Sequence, residues 1–173
     1  MITAVLALLA AVAVGGLLLA AVGERLRPSW AGAVLVVLVA VAALLAWTAA
    51  RPGELALRAG TVLGALAAIT GGGPVATAVL RAADPTSAAA SGGVGDPEVL
   101  RGGAWIGVLE RAAAAGTLLL GWTEGLAVLV AIKGLGRFTE LKAPAAAERF
   151  IIGTLASLLW AAGCVGVVVL LRS

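Results

Sequence analysis

Six charged side chains lie within or beside apolar segments in the second half of the chain. They are Glu110, Arg111, Lys133, Arg137, Glu148 and Arg149. A charge at membrane depth costs about 2.5 kcal/mol or more, so such groups usually pair with one another or serve a function. A surplus of basic groups over carboxylates favours an anionic ligand. The pattern therefore predicts either a site for an anionic small molecule or lipid headgroup, or a set of structural ion pairs.

The composition is that of an integral membrane protein. Of 173 residues, 62% are hydrophobic and 12% are charged, whereas soluble domains are about one quarter charged. The apolar residues form blocks of roughly 20, the length of helix that crosses a hydrocarbon core about 30 Å thick. We expect an all-α, polytopic transmembrane bundle of about six spans, a single domain over residues 1–173, surrounded by lipids of the plasma membrane.

The first half of the chain contains three of these spans. They are predicted at Ile2–Val22, Trp30–Ala50 and about Leu55–Leu80. No lysine or arginine precedes the first, which favours a retained span over a cleaved signal peptide. Residues 81–103 form the one long polar connection and are predicted to be a cytoplasmic loop between spans 3 and 4.

The third apolar stretch contains four residues that disfavour a helix: Gly71, Gly72, Gly73 and Pro74. They predict a break or an end of the helix. Backbone N–H groups at such a break could bind an anion with help from Arg81; an ordinary kink or helix end is the alternative.

Small residues recur at every fourth position before this break, at Gly60, Gly64, Ala68 and Gly72. Such a stripe lets the backbone of another helix approach closely. Together with Ala7, Ala11 and Gly15, it would also suit an assembly protein that packs against a second copy or another membrane protein.

The fourth and fifth spans are predicted to form a hairpin with its turn near Thr123. Since Ala112–Gly121 is too short to cross a membrane, the fourth helix must begin near Gly103 and carry Glu110 inside it. Glu110 and Lys133 lie 13 and 10 residues from Thr123, or about 20 and 15 Å of helical rise. They are therefore expected to meet at similar depth.

The remaining charged residues extend the same cluster. Arg137 follows Lys133 by four positions and shares its helix face. Glu148 and Arg149 are predicted to open the sixth span, Phe150–Leu171, with Glu148 at the helix N-terminus, where negative charge is favoured.

The distribution of basic residues predicts the orientation. With both termini outside, inner connections and helix ends hold nine basic residues and outer ones hold three, Arg51, Arg58 and Arg172. This asymmetry places the charged cluster near the cytoplasmic face. It also explains the net charge of +3, so no nucleic-acid partner is expected.

Little in the sequence favours catalysis. The chain has no histidine, and its two aspartates, Asp84 and Asp96, each precede a proline. No metal motif or nucleophile with a partnered base is recognisable, so we predict no metal and no cofactor. A lipid-modifying enzyme with Glu110 as acid or base is the less favoured alternative. Cys164 is predicted to be a core residue.

Three motifs carry a resemblance to a known family: G-x-W-I-G-x-L-E-R, A-x-K-x-x-x-R-F-x-E-L and E-R-F-I-I-G-T-L-x-S. They resemble the C-terminal half of a family of small bacterial integral membrane proteins that carries a domain of unknown function. The resemblance covers Gly103 to about Ser157. It implies a membrane architecture and singles out Glu110, Arg111, Lys133, Arg137, Glu148, Gly153, Thr154 and Ser157. That family usually carries a histidine and an aspartate near its first span, which this chain lacks, so no role that requires them carries over.

Overall fold

The computed structural model describes residues 1–22, 28, 30–83 and 103–173. Within these ranges the chain is all-α, as predicted, with a short 3-10 turn at Glu140–Lys142. Its α-helices are α1 (Ile2–Val22), α2 (Ala31–Trp47), α3 (Glu54–Ala83), α4 (Gly103–Leu119), α5 (Glu124–Gly136) and α6 (Pro144–Arg172).

Three helices, α1, α3 and α6, are long and apolar enough to cross a membrane, and α2 is a shorter apolar helix of 17 residues. Large apolar side chains point outward as well as inward: Leu9 is fully buried, whereas Leu44 is 68% exposed and Leu55 is 83% exposed. Helices that are apolar on every face are typical of proteins surrounded by lipid. Length, composition and exposure together indicate a membrane protein.

Helix α3 lies at the centre and packs against α1, α2, α4 and α6. It approaches α1 backbone to backbone, because a Cβ atom on Gly16 would lie 2.7 Å from the backbone nitrogen of Gly71. The Thr70 hydroxyl donates a hydrogen bond of 2.9 Å to the carbonyl oxygen of Ala13. Backbone-to-backbone approach of this kind requires glycine at the crossing point.

The small-residue stripe of α3 is used within the chain. Gly64 packs beneath the side chain of Val168 on α6, and Gly60 lies against Leu171. The indole N–H of Trp160, also on α6, donates a hydrogen bond of 3.1 Å to the carbonyl oxygen of Ala67. The small-residue stripe of α3 is thus covered by α6 and is not an exposed face against which a partner could pack.

The predicted helix break at Gly71–Pro74 is wrong. Helix α3 continues through these residues with Pro74 inside it. Gly71 packs against the ring of Trp160 and Gly72 against the side chain of Arg111, so tertiary packing outweighs the poor local helix propensity. An anion-binding nest at a helix end is therefore not formed at these four residues.

The loop predicted over residues 81–103 extends too far at both ends. Residues 81–83 belong to α3, and Gly103 is the first residue of α4. The rest of that predicted loop, residues 84–102, lies outside the described residues.

Candidate functional site

The α4–α5 hairpin positions the site, and its turn is defined by Gly121, which has a φ of 72°. The backbone N–H of Trp122 donates to the Thr117 carbonyl at 2.8 Å, and that of Gly121 donates to the Leu118 carbonyl at 3.2 Å. This pair of hydrogen bonds, with glycine in the left-handed conformation, is the Schellman motif that ends a helix. The turn fixes which residues of α4 and α5 face each other.

Glu110 and Lys133 meet across this hairpin, as the sequence predicts. The Lys133 Nζ atom lies 2.5 Å from Oε2 of Glu110, and the two side chains are 22% and 16% exposed. The same Nζ atom lies 5.8 Å from the centroid of the Phe150 ring on α6, within the range of a cation–π contact. Lys133 is therefore the point where α4, α5 and α6 converge.

Arg111 connects the hairpin to the central helix. Its Nε–H donates a hydrogen bond of 2.7 Å to the carbonyl oxygen of Ile69 on α3. The guanidinium passes over two glycines, Gly72 on α3 and Gly107 one turn earlier on α4, which leave room for it. Arg111 thus has a structural contact in addition to its place in the site.

A cavity of about 210 Å³ opens between α3, α4, α5 and α6, and it gathers most of the predicted site residues. Its lining consists of Ala76, Ile106, Gly107, Glu110, Arg111, Lys133, Arg137, Arg149, Phe150, Gly153, Thr154 and Ser157. Within the described part of the chain, four basic side chains and one acidic side chain therefore face one space. A space of this size holds about seven water-sized groups.

The hydroxyl of Thr154 has no hydrogen-bond partner among the described residues, although the residue is only 7% exposed. A buried hydroxyl without a partner costs about 1–3 kcal/mol. Thr154 lines both the main cavity and a cleft of about 10 Å³ next to it, which also touches Ser157 and Leu158. The orphaned hydroxyl is thus placed to bond a group that enters this space.

Glu148 is the one predicted ligand residue that does not line the cavity. Helix α6 begins at Pro144, with Ala143 as its N-cap residue. Glu148 therefore lies in the second turn, where its side chain is exposed. The prediction that it sits at the helix N-terminus is wrong, because a proline in the first turn starts the helix four residues earlier.

The sequence prediction missed four uncharged residues of the lining: Ala76, Ile106, Gly107 and Phe150. Gly107 precedes Arg111 by four positions, so it shares a helix face with the guanidinium, and that spacing was a signal for it. Phe150 follows directly after Arg149, and the sequence marks it only as the start of a span. Ala76 and Ile106 carry no signal that separates them from other apolar residues.

The chemistry that this arrangement offers is anion binding. A basic surplus, an orphaned hydroxyl and a small cavity can hold an anion by charge-assisted hydrogen bonds. Comparison of the chain with protein-family models, with curated proteins and with solved structures gives no match.

Proposed function

We propose that this chain is an integral protein of the plasma membrane that binds a phosphate-bearing anion in the cavity between α3, α4, α5 and α6. The observation that carries the proposal is the lining, in which Arg111, Lys133, Arg137 and Arg149 accompany a single carboxylate, Glu110. Phosphate offers several acceptor oxygens and up to two negative charges. It therefore matches a site with more positive groups than negative ones.

Lys133 is the principal ligand of this anion. An ammonium group has three donors, so Lys133 can keep its bond to Glu110 while it donates to a phosphate oxygen. The Thr154 hydroxyl, buried and without a partner among the described residues, supplies a neutral donor from α6. Charged and neutral donors on facing helices would hold the anion on both sides.

Two pairs of tryptophans support a bundle of six spans. Trp47 follows Trp30 by 17 positions along α2, and Trp122 follows Trp105 by 17 positions along α4 and its turn. All four are more than half exposed. Seventeen positions correspond to about 25 Å of helical rise, close to the thickness of a hydrocarbon core, and tryptophans prefer its two interfaces.

The position of Trp105 also gives the depth of the site in the membrane. Glu110 follows Trp105 by five positions, so it lies about 7 Å beneath the interface. From the excess of basic residues we infer that this interface faces the cytoplasm and that both termini lie outside. Lys133 and Arg137 would thus be within reach of the cytoplasmic headgroup region.

A structural role for the charges is the competing proposal, and the Arg111 hydrogen bond to the Ile69 carbonyl favours it. In that case the ion pair of Glu110 and Lys133 would only orient the hairpin. A second copy or another membrane protein would then be the partner to seek.

The test compares wild-type protein with the double variant Lys133→Gln/Glu110→Gln. The variant removes both partners of the ion pair together, so neither is left without its counter-charge, and its fold is expected to persist. We expect inorganic phosphate to raise the unfolding midpoint of the wild type and not that of the variant, since a ligand stabilises only a state that binds it. Equal behaviour of both proteins in phosphate would favour the structural role.

A further inference from the structure

On one side of the cavity, the helices α5 and α6 are not tightly packed against each other. Among the described helices, only α4 packs extensively against α5, and the contact of Lys133 with Phe150 bridges α5 to α6. The cavity is therefore bordered by a gap between α5 and α6 that faces the surroundings of the bundle. In a membrane, those surroundings are lipid.

The gap becomes apolar away from the charges. The small cleft next to the cavity is lined by Leu129 and Val130 of α5 and by Leu158 of α6. Val130 is 38% exposed, so this apolar wall continues to the outer surface. Lys133, Thr154 and Ser157 border both the cleft and the cavity, which makes the polar and apolar spaces continuous.

A soluble anion would not contact the apolar wall beyond the cavity, whereas an amphiphile with acyl chains would. The cavity of about 210 Å³ holds a phosphate with a glycerol but not two acyl chains. Chains attached to that phosphate would have to leave through the gap, along Val130 and Leu158. The basic groups would meet the phosphate, and the apolar wall would meet the first part of the chains.

Building on the proposed function, we propose that the anion is the phosphate of a membrane phospholipid, which reaches the cavity sideways between α5 and α6. Lys133 and the Thr154 hydroxyl hold the phosphate oxygens, and Leu158 and Val130 contact the chains. Burial of acyl carbon adds to the affinity for the lipid. The same headgroup without chains would bind through the polar contacts alone.

The experiment uses the full chain in a neutral detergent and three probes: phosphatidic acid, diacylglycerol with the same chains, and glycerol 3-phosphate. Binding is followed by the shift of the unfolding midpoint and by native mass spectrometry. We expect phosphatidic acid to act at a concentration at least about tenfold lower than glycerol 3-phosphate, since each buried methylene strengthens binding. Diacylglycerol is expected to produce no comparable shift.

Two variants test the path of the chains. Val130→Trp and Leu158→Trp fill the apolar wall from opposite sides, and either is expected to abolish the advantage of phosphatidic acid while keeping the response to glycerol 3-phosphate. Leu159→Trp is the matched control, because Leu159 is 71% exposed and does not line the cleft. It is expected to behave as the wild type.

The possible results distinguish a failure of the lipid assignment from a failure of the proposed anion site. Equal potency of phosphatidic acid and glycerol 3-phosphate, unchanged in both wall variants, would overturn the lipid assignment and leave the anion site in place. Binding of neither probe would overturn both. Equal binding of diacylglycerol and phosphatidic acid would show that chains alone are recognised, which also contradicts both.

Discussion

Lys133 and Glu110 are 23 positions apart in the chain, yet the ammonium nitrogen and a carboxylate oxygen lie 2.5 Å from each other. The pair joins α4 to α5 inside the cavity, and the other basic groups of the lining outnumber this one carboxylate. Glu110 is therefore the internal competitor of any anion that approaches Lys133. Substitution of Glu110 should therefore change how strongly the site binds an anion.

Removal of that competitor is expected to strengthen anion binding. In Glu110→Gln, Lys133 no longer shares its charge with a carboxylate, so the phosphate concentration needed for half of the maximal midpoint shift should fall. The expected change is about tenfold, which corresponds to ~1.4 kcal/mol. The phosphate-free protein should be less stable, because Lys133 loses its counter-charge. Weaker phosphate binding in this variant would contradict the role given to Glu110.

The crossing of α1 and α3 is expected to tolerate no side chain. Gly16→Ala places a Cβ atom against the backbone of Gly71, which cannot rotate away as a side chain could. Overpacking of this kind costs about 1–3 kcal/mol, measured as a lower unfolding midpoint in detergent.

Gly166→Ala is the control for that substitution. Gly166 lies inside α6 and has nothing within 4 Å of an added Cβ, and alanine favours a helix over glycine by about 1 kcal/mol. The control is expected to be neutral or stabilising. Equal destabilisation by both substitutions would mean that the close crossing of α1 and α3 is absent.

The hydrogen bond between Trp160 and the Ala67 carbonyl is expected to stabilise the contact of α6 with α3. Trp160→Phe keeps an aromatic ring but removes the buried indole N–H, for an expected loss of about 1 kcal/mol plus the lost packing. Trp47→Phe is the matched control, since Trp47 is 76% exposed. Similar midpoints for the two variants would contradict the packing of α6 described above.

Much of the fold is encoded locally and could be predicted from the sequence. Blocks of apolar residues give the helices. The distances of Glu110 and Lys133 from the turn near Thr123 give their pairing, because a hairpin places residues at similar distances from its turn close together. Local signals of this kind need no knowledge of the packing partner.

The continuity of α3 could not be predicted in the same way. Three glycines and a proline in succession indicate a break, and the residues that oppose it, Arg111 and Trp160, lie far away in the chain. The start of α6 is different, since Pro144 was a local signal for it. Which apolar residues line the cavity depends on which helix faces pack together. Local sequence carries no signal for that packing.

The topology proposed for the bundle predicts a pattern of cysteine labelling in intact cells. Cys164 is fully buried and should stay unlabelled, so single cysteines can be introduced elsewhere. A membrane-impermeant maleimide is expected to label Ser173→Cys and Thr123→Cys from outside. Thr139→Cys, in the exposed link between α5 and α6, should react only after the membrane is opened. Protection of Thr123→Cys in intact cells would mean that the α4–α5 hairpin enters and leaves on the cytoplasmic side.

Equilibrium dialysis of purified protein against radiolabelled phosphate measures whether Lys133 and its neighbours hold an anion. We expect saturable binding of one phosphate per chain to the wild type and a loss of that binding in Lys133→Gln/Glu110→Gln. The Arg58→Gln variant is the control, because Arg58 pairs with Glu54 at the exposed start of α3, and it should bind as the wild type does. Saturable binding that survives in the double variant would show that Lys133 is not a ligand of the anion.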